Sequence, residues 1–333
     1  MPQRVIDLIH APSVWTGSAV CGGLELSGPL SDSFDLSDQG SKFGCSTWEK
    51  AESEMIRRTF NRILRKGNIS ENDIDGIFSG DLTNQCTATS LGLCGYRTPI
   101  MGLYGACSTF AMAVGMAAMF VNAGYGEKAL AIASSHFCTA ERQYRFPLEY
   151  GSQRTPTAQT TVTACGALLI GTNDPSLPRI TQFLPGIICD RGIHDTSHMG
   201  AAMAPACADT ILRYFKETGS DPDSFDMILT GDLGYYGQEL LRDLCNEQGL
   251  VLKDNLMDCG LMIYDREKQK VGAGGSGCGC SAVVMSGSIL QRFSSGIIHD
   301  VLLIGTGALL SATSVLQGES IPGIAHLVRI QKG

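Results

Sequence analysis

Apolar residues recur at helical spacing in the segment 48–66, where charged residues separate them. The residues of the apolar face are Ile56, Phe60, Ile63 and Leu64. This spacing predicts an amphipathic helix, and Gly67 predicts its end because glycine readily adopts the left-handed conformation that terminates many helices. A short polar link then leads to the apolar run 77–82, which predicts a buried strand with a Gly-Asp-Leu ending.

The same order returns much later in the chain. An amphipathic helix is predicted over 209–218, and Gly219 is expected to end it. An acidic link leads to the strand 228–233, which also ends in Gly-Asp-Leu. The shared order and the shared ending favour an internal repeat over the alternation that any α/β protein shows.

A second pair of segments supports the repeat. A helix of small residues follows Cys107 and leads to the apolar strand 129–133, and a similar helix follows Cys280 and leads to the strand 301–304. Strands that are apolar throughout are typical of sheets covered by helices on both faces. We therefore predict a duplicated α/β fold with the layer order α/β/α/β/α.

The repeat predicts two halves, residues 1–174 and 175–333, around one core. With 44% hydrophobic and 17% charged residues, a chain of 333 residues can bury a large core. The net charge of -8 provides no overall attraction for nucleic acid, so no nucleic-acid partner is predicted. The 13 cysteines stand singly in apolar runs, which is typical of a reducing compartment.

Neither a signal peptide nor a membrane span is expected. The first twenty residues include Asp7, His10 and Trp15 and lack the continuous apolar stretch of a signal peptide. The longest apolar stretch, 110–123, is shorter than the roughly 18 residues that a span requires, and it predicts a helix buried in protein. We expect a soluble protein whose membrane association would come from protein partners.

Candidate chemistry centres on Cys107 in the segment Gly-Ala-Cys-Ser-Thr-Phe. A cysteine at the start of a helix lies near unpaired backbone N–H groups and the positive end of the helix dipole. This environment favours a thiolate and can also hold an anion. The position therefore suits either a nucleophile or a bound carboxylate.

This segment, its small-residue helix and the Ala-Leu-Ala-Ile-Ala strand resemble the nucleophile region of the thiolase superfamily, which includes the β-ketoacyl synthases. The resemblance implies the duplicated thiolase-like fold and a homodimer formed through the first half. It also implies that catalytic members pair the cysteine with His and Asn or with two His, because a thiolate needs a base and an oxyanion needs donors.

A narrower resemblance links the chain to the stage V sporulation protein AD family. It is carried by the segments 145–159, 199–206, 274–282 and 321–328. It implies binding of dipicolinate (pyridine-2,6-dicarboxylate) and a part in its uptake into the developing spore. The implied partners are other stage V sporulation proteins, including membrane components, and the implied location is peripheral to the inner spore membrane.

The expected catalytic partners of Cys107 are replaced. Asp232 stands where a synthase carries a histidine loop, and Ser276 stands where an Asn or His motif would fall. A carboxylate near the thiol raises its pKa and repels an oxyanion, so condensation is disfavoured and a non-enzymatic protein is predicted. Two alternatives remain: an acyltransferase or β-ketoacyl synthase that uses Cys107, and a structural scaffold.

Dipicolinate is a planar dianion, so its site needs donors at both ends and an apolar slot between them. The expected ligand-binding residues are Cys107, Ser108, Tyr104, His136, Gln153, Arg154, Thr157, Asp232 and Ser276. Three aromatic residues are expected to flank the ring: Tyr104, Phe146 and Tyr150. The alternative for the loop around Arg154 is a dimer contact.

The remaining histidines and glycines leave alternatives open. His194 and His198 suggest a metal site, yet without a third ligand a loop or interface role is favoured, and no metal is predicted. His136 and His326 either reach the pocket or are structural. The glycine cluster 272–280 lacks the lysine of a phosphate-binding loop, so no cofactor is predicted.

Overall fold

The apolar runs form strands and the amphipathic runs form helices in the computed structural model, which describes residues 5–145, 148–150 and 153–332. The strands are β1 (Ile6–Asp7), β2 (Ser13–Gly22), β3 (Leu36–Asp38), β4 (Gly76–Asp81), β5 (Ile100–Gly102), β6 (Lys128–Ser135), β7 (Thr160–Thr161), β8 (Ala164–Gly171), β9 (Arg179–Leu184), β10 (Met227–Thr230), β11 (Leu256–Asp258), β12 (Gly275–Ser276), β13 (Asp300–Ala308) and β14 (Gly323–Gln331).

The helices follow the same order. They are α1 (Gly23–Leu26), α2 (Trp48–Gly67), α3 (Thr87–Gly92), α4 (Thr109–Asn122), α5 (Phe137–Tyr144), α6 (Met199–Thr218), α7 (Gly234–Glu247), α8 (Cys259–Met262), α9 (Arg266–Gln269), α10 (Cys278–Val284), α11 (Leu290–Ser294) and α12 (Ala312–Leu316). A π-helical segment, Met285–Ile289, joins α10 to α11. None of the described helices is long and apolar enough to cross a membrane.

Two sets of strands have the same order and the same directions. The first set runs β5-β4-β6-β8-β2 and the second runs β11-β10-β13-β14-β9. In both sets the first three strands are parallel, and the next two are antiparallel to their neighbours. One residue pair, Ser13 with Arg179, joins β2 to β9, so the two sets form one continuous sheet. This shared topology accords with the predicted internal repeat.

Helices cover both sets of strands. Helices α2 and α3 pack on the first set, and α6 packs on the second set with α7 beside it. Helix α4 lies between the two sets, and α10 packs on the first set beside α4. Helix α4 contacts strands of both sets and has apolar residues around its whole circumference, as a helix enclosed in protein requires. The predicted α/β fold is confirmed, whereas the division of the chain at 174/175 stays a prediction.

The C-terminal end of α6 agrees with the prediction from the sequence, whereas the C-terminal end of α2 differs from it. Gly219 ends α6 with a φ of 65°, as predicted. Gly67 is wrong as the terminator of α2, because the helix includes it and Asn68 takes the left-handed position with a φ of 49°. Asparagine tolerates this conformation better than most residues, since its short polar side chain can hydrogen-bond locally.

A buried carboxyl group ties α2 to the first set of strands. Glu52 is fully buried, and its oxygens accept hydrogen bonds from Ser134 Oγ at 3.0 Å and Thr139 Oγ1 at 2.6 Å. Burial, and then the charge of Asp81, raise the pKa of Glu52 to about 8. The folded protein therefore holds a proton that the unfolded chain releases near pH 4.5.

We predict that Glu52→Gln removes a pH dependence of stability. Between pH 4.5 and 8 the folded state binds the extra proton, so the free energy of unfolding of the wild type falls as pH rises. From pH 6.5 to 8 the variant should gain about 1.5 kcal/mol relative to the wild type, measured by urea unfolding. Glu127→Gln, at an exposed position, is the control and should follow the wild type. Parallel curves for Glu52→Gln and the wild type would contradict the prediction.

Candidate functional site

Cys107 lies in a tight turn between β5 and α4. Ala106 before it adopts a positive φ of 50°, which turns the chain sharply. The N–H groups of Ser108 and Thr109 bond to the carbonyls of Gly105 and Ala106 at 3.1 and 3.2 Å. These two N–H groups are therefore used within the turn and are not free to bind an anion. The sequence had instead predicted free N–H groups at the start of the helix.

Asp232 lies beside the thiol because its strand ends there. It follows β10, which runs parallel to β13, so its carboxylate reaches Thr306 in β13. Thr306 Oγ1 donates to Asp232 Oδ1 at 2.8 Å, and Ser276 Oγ and Gly277 N donate to Oδ2 at 2.9 and 2.8 Å. The carboxylate is 1% exposed. Three protein donors thus hold the Asp232 carboxylate in place.

The thiol and the carboxylate share one environment. Cys107 Sγ lies 3.8 Å from Ser276 Oγ. Burial, and then the charge and hydrogen bonding of Asp232, raise the pKa of the Cys107 thiol well above its usual value. Burial also raises the pKa of Asp232, although hydrogen bonds from Cys107 and Gly277 oppose the rise. The sulfur is therefore a protonated thiol at neutral pH.

A half-open cavity of about 170 Å³ lies over Cys107. Its apolar wall includes Leu82, Ala106, Ala140, Tyr144, Ala158, Met199, Ala308 and Leu310. Its polar wall includes Glu141, Arg145, Gln159, Thr161, Thr196, Ser197 and Ser276. Strands β7 and β12 pair in parallel and place Thr161 beside Ser276. Below we call this cavity the Cys107 pocket.

One cation stands among the described residues that line the Cys107 pocket. Arg145 ends α5 and forms an ion pair with Glu141, one turn earlier on the same helix. Glu141 is also bonded to Arg154 at 2.8 Å, so one carboxylate faces two guanidinium groups. The three side chains together therefore carry one net positive charge. A guanidinium has five N–H donors, which leaves Arg145 able to bind a further carboxylate.

Some of the predicted ligand-binding residues meet at this pocket. Cys107 and Ser276 line it, and Asp232 lies directly behind Ser276. Tyr104 approaches its rim, where its hydroxyl lies 3.2 Å from that of Tyr144. These are the residues that the strand ends of both halves bring together.

Other predicted residues lie elsewhere. Ser108 is buried, and its hydroxyl donates to the Gly105 carbonyl at 2.6 Å. Gln153 is exposed, and the Thr157 hydroxyl pairs with that of Thr155 at 2.8 Å. Arg154 stacks on Phe137 and lines a different cavity. Phe146 and the side chain of Tyr150 lie outside the described residues.

None of the histidines singled out from the sequence lines the Cys107 pocket. His136 Nδ1 accepts from Cys138 N at 3.1 Å, and its Nε2 lies 2.9 Å from the Ser41 carbonyl, so the ring caps α5 and does not line the Cys107 pocket. His326 is buried, and burial lowers its pKa to about 4. His198 caps α6 by accepting from Ala201 N at 3.3 Å, while His194 is exposed.

Sequence reasoning missed Arg145, Tyr144 and Gln159. Gln159 Nε2 donates to the Asp232 and Gly275 carbonyls at 2.7 and 2.9 Å, so it links β7 to the turn that carries Asp232. Arg145 and Gln159 are the two ends of the segment 145–159 that carried the family resemblance. Their place in this segment was the sequence feature that could have identified them as site residues. Only the fold shows that both side chains reach the pocket.

Comparison with known proteins agrees with this description. The chain resembles 3-oxoacyl-(acyl carrier protein) synthase III from Xanthomonas oryzae, with 13% identity, a TM-score of 0.60 and coverage of 96% of this chain and 98% of that one. The corresponding synthase III from Aquifex aeolicus gives 11% identity, a TM-score of 0.54 and coverage of 96% and 99%. These likenesses show a thiolase-like fold.

A closer likeness is to stage V sporulation protein AD of Bacillus subtilis, which is 40% identical over 323 residues, covering 97% of this chain and 95% of that protein. The family model of stage V sporulation protein AD matches residues 2–331. With this match over essentially its whole length, the chain belongs to the stage V sporulation protein AD family.

Proposed function

We propose that this protein binds dipicolinate in the Cys107 pocket and takes part in its uptake into the developing spore. The observation that carries the proposal is the position of the buried Asp232 side chain beside the Cys107 thiol: Ser276 Oγ lies 3.8 Å from the sulfur and donates to Asp232 at 2.9 Å. In this environment the sulfur stays protonated. A protonated thiol is a poor nucleophile, so the pocket suits reversible binding better than acyl transfer.

The walls of the pocket fit a small planar anion. Its volume of about 170 Å³ lies below the roughly 300 Å³ at which sites for drug-sized ligands begin, which favours a small molecule. Arg145 supplies a cation for one carboxylate, and the hydroxyls of Ser276 and Thr161 lie on the polar wall. Leu82, Tyr144 and other apolar groups supply the slot between them.

The wider role follows from family membership. We propose that the protein acts with other stage V sporulation proteins, including membrane components, at the periphery of the inner spore membrane. We also propose a homodimer, as the resemblance to the thiolase superfamily implies. Membership of the sporulation family supports the proposed role in the spore. The lining of the pocket supports dipicolinate as the proposed ligand.

Calorimetry with purified protein and dipicolinate tests the binding. We predict saturable binding by the wild type and at least a tenfold weaker Kd for Arg145→Gln, since one charge-assisted hydrogen-bonded contact contributes about 1.5 kcal/mol or more. Arg142→Gln is the matched control, because Arg142 lies on the same helix but pairs with Glu49 at an exposed position. Equal affinities for the two variants would remove Arg145 from the site.

Mass spectrometry separates the alternative activities. Incubation with acyl-CoA or acyl carrier protein should leave the mass of Cys107 unchanged. An acyl adduct on Cys107 would instead support the acyltransferase or synthase that the fold relatives suggest. If neither saturable heat at millimolar dipicolinate nor an adduct is observed, a scaffold role replaces the proposal.

A further inference from the structure

A second cavity shares Thr161 with the Cys107 pocket. It has a volume of about 400 Å³ and lies between α1, the starts of α2 and α5, and the segment 269–271. Strand β7 forms part of the wall of both cavities, because Thr160 lines the second and Thr161 lines both. Below we call the second cavity the Trp48 cavity.

Aromatic rings with cations against them form one side of the Trp48 cavity. The rings of Trp48 and His136 are 5.4 Å apart. The Arg154 guanidinium, which lines the cavity, lies 5.1 Å from the centre of the Phe137 ring. Lys42 lies outside the lining, with its Nζ 4.6 Å from the centre of the Trp48 ring. Such walls combine flat apolar surface with positive charge, which suits a planar anion.

The rest of the lining includes Lys270, a lysine without an ion pair among the described residues, and Glu25, a buried carboxyl group. Lys270 lines the cavity and makes no ion pair with any residue that the structure describes. Glu25 is the acid among the described lining residues, and it is 1% exposed. Its Oε1 accepts hydrogen bonds from Thr163 N at 2.9 Å and from the Tyr264 hydroxyl, and burial raises its pKa. The wall therefore has a positive balance of charge.

One polar atom at this wall is unpaired. Glu25 Oε2 is buried and has no hydrogen-bond partner among the described residues. A buried polar group without a partner is unfavourable, and a ligand carboxylate could satisfy a protonated Glu25 by accepting its hydrogen. This orphan atom is a second observation, independent of the aromatic wall, that points to a ligand.

The ion pair between Glu141 and Arg154 connects the two cavities. Glu141 lines the Cys107 pocket and Arg154 lines the Trp48 cavity, and the two side chains are bonded at 2.8 Å. We propose that the Trp48 cavity is a second binding site for a planar aromatic carboxylate, adjacent to the first across Thr161 and the Glu141–Arg154 ion pair. The identity of the ligand, dipicolinate, rests on the proposed function.

Tryptophan fluorescence tests this second site separately from the first. The sequence contains two tryptophans, Trp15 and Trp48, so Trp15→Phe leaves Trp48 as the only one. In this background we expect dipicolinate to change the Trp48 emission saturably. Lys270→Gln should raise the midpoint of that change at least fivefold, whereas Lys268→Gln should not, because Lys268 pairs with Asp265 and does not line the cavity.

Arg145→Gln distinguishes the two sites. The proposal is supported if this variant loses the calorimetric binding of the Cys107 pocket and keeps the Trp48 signal. It is overturned, with the proposed function intact, if the wild type binds dipicolinate without any Trp48 change or if Arg145→Gln abolishes both signals together. If the wild type shows neither heat nor a fluorescence change, both the second site and the proposed function fail.

Discussion

Asp232→Asn is expected to increase the rate of alkylation of Cys107 by iodoacetamide at least tenfold at pH 8. The thiolate is the reactive form, and the Asp232 carboxylate is a principal cause, after burial, of the raised pKa of the thiol. Removing a like charge within a few ångströms changes a pKa by about 1–3 units, and each unit changes the thiolate fraction tenfold. Asparagine keeps the size of the side chain and can still accept hydrogen bonds from Ser276 and Gly277.

The measurement follows Cys107 by peptide mass spectrometry, because the chain has 13 cysteines. Cys94 is exposed and provides an internal reference whose rate should be the same in both proteins. The prediction is contradicted if wild-type Cys107 already reacts faster than Cys94 at neutral pH and the substitution changes nothing. That result would mean that Cys107 is an activated nucleophile and would favour the enzyme alternative.

Gly166→Ala is expected to lower the free energy of unfolding by about 3 kcal/mol or more. Gly166 lies in β8 between Ala19 of β2 and Ala133 of β6. A Cβ atom at this position would lie 2.2 Å from the carbonyl carbon and oxygen of Ala282 in α10, and backbone atoms cannot move aside as a side chain can. The substitution must push α10 away from the sheet.

The displacement would also reach the functional site, since α10 begins directly after Gly277, whose N–H bonds to Asp232. Gly102→Ala is the matched control, because Gly102 also lies in a strand and has no atom within 4 Å of the Cβ position. Urea unfolding should place the control within about 0.5 kcal/mol of the wild type. Equal stability of the two variants would contradict the close contact between α10 and β8.

Local patterns in the sequence predicted several of the elements and their repetition, although α6 begins at Met199, ten residues before the predicted start at 209. The apolar runs 129–133 and 301–304 predicted the central strands, which the structure extends to Lys128–Ser135 and Asp300–Ala308. Periodicity and Gly219 predicted the end of α6 correctly. The end of α2 was missed by one residue, because Asn68 accepts the left-handed conformation nearly as well as a glycine would.

The candidate site depends on contacts between distant parts of the chain. Cys107 and Ser276 are 169 positions apart, and they meet because strands of both halves end at the same place. Both arginines belong to the segment 145–159, yet Arg145 lines the Cys107 pocket while Arg154 lines the Trp48 cavity. No periodicity distinguishes these two arginines, since the path of a loop is decided by what it packs against.

Cys107 shows most clearly which properties could be predicted from the sequence and which depend on the tertiary structure. The sequence alone predicted a cysteine at the start of a buried helix in a duplicated α/β fold, and its resemblance to a family assigned the places of Asp232 and Ser276. In the structure Cys107 lies in the turn just before that helix, which begins at Thr109. Only the tertiary structure decided that the first N–H groups of the turn are already bonded, that Asp232 is buried beside Ser276 and the thiol, and that Arg145 lines the same pocket. Local periodicity records burial, whereas the charge and protonation of a group depend on neighbours that only the folded chain brings near.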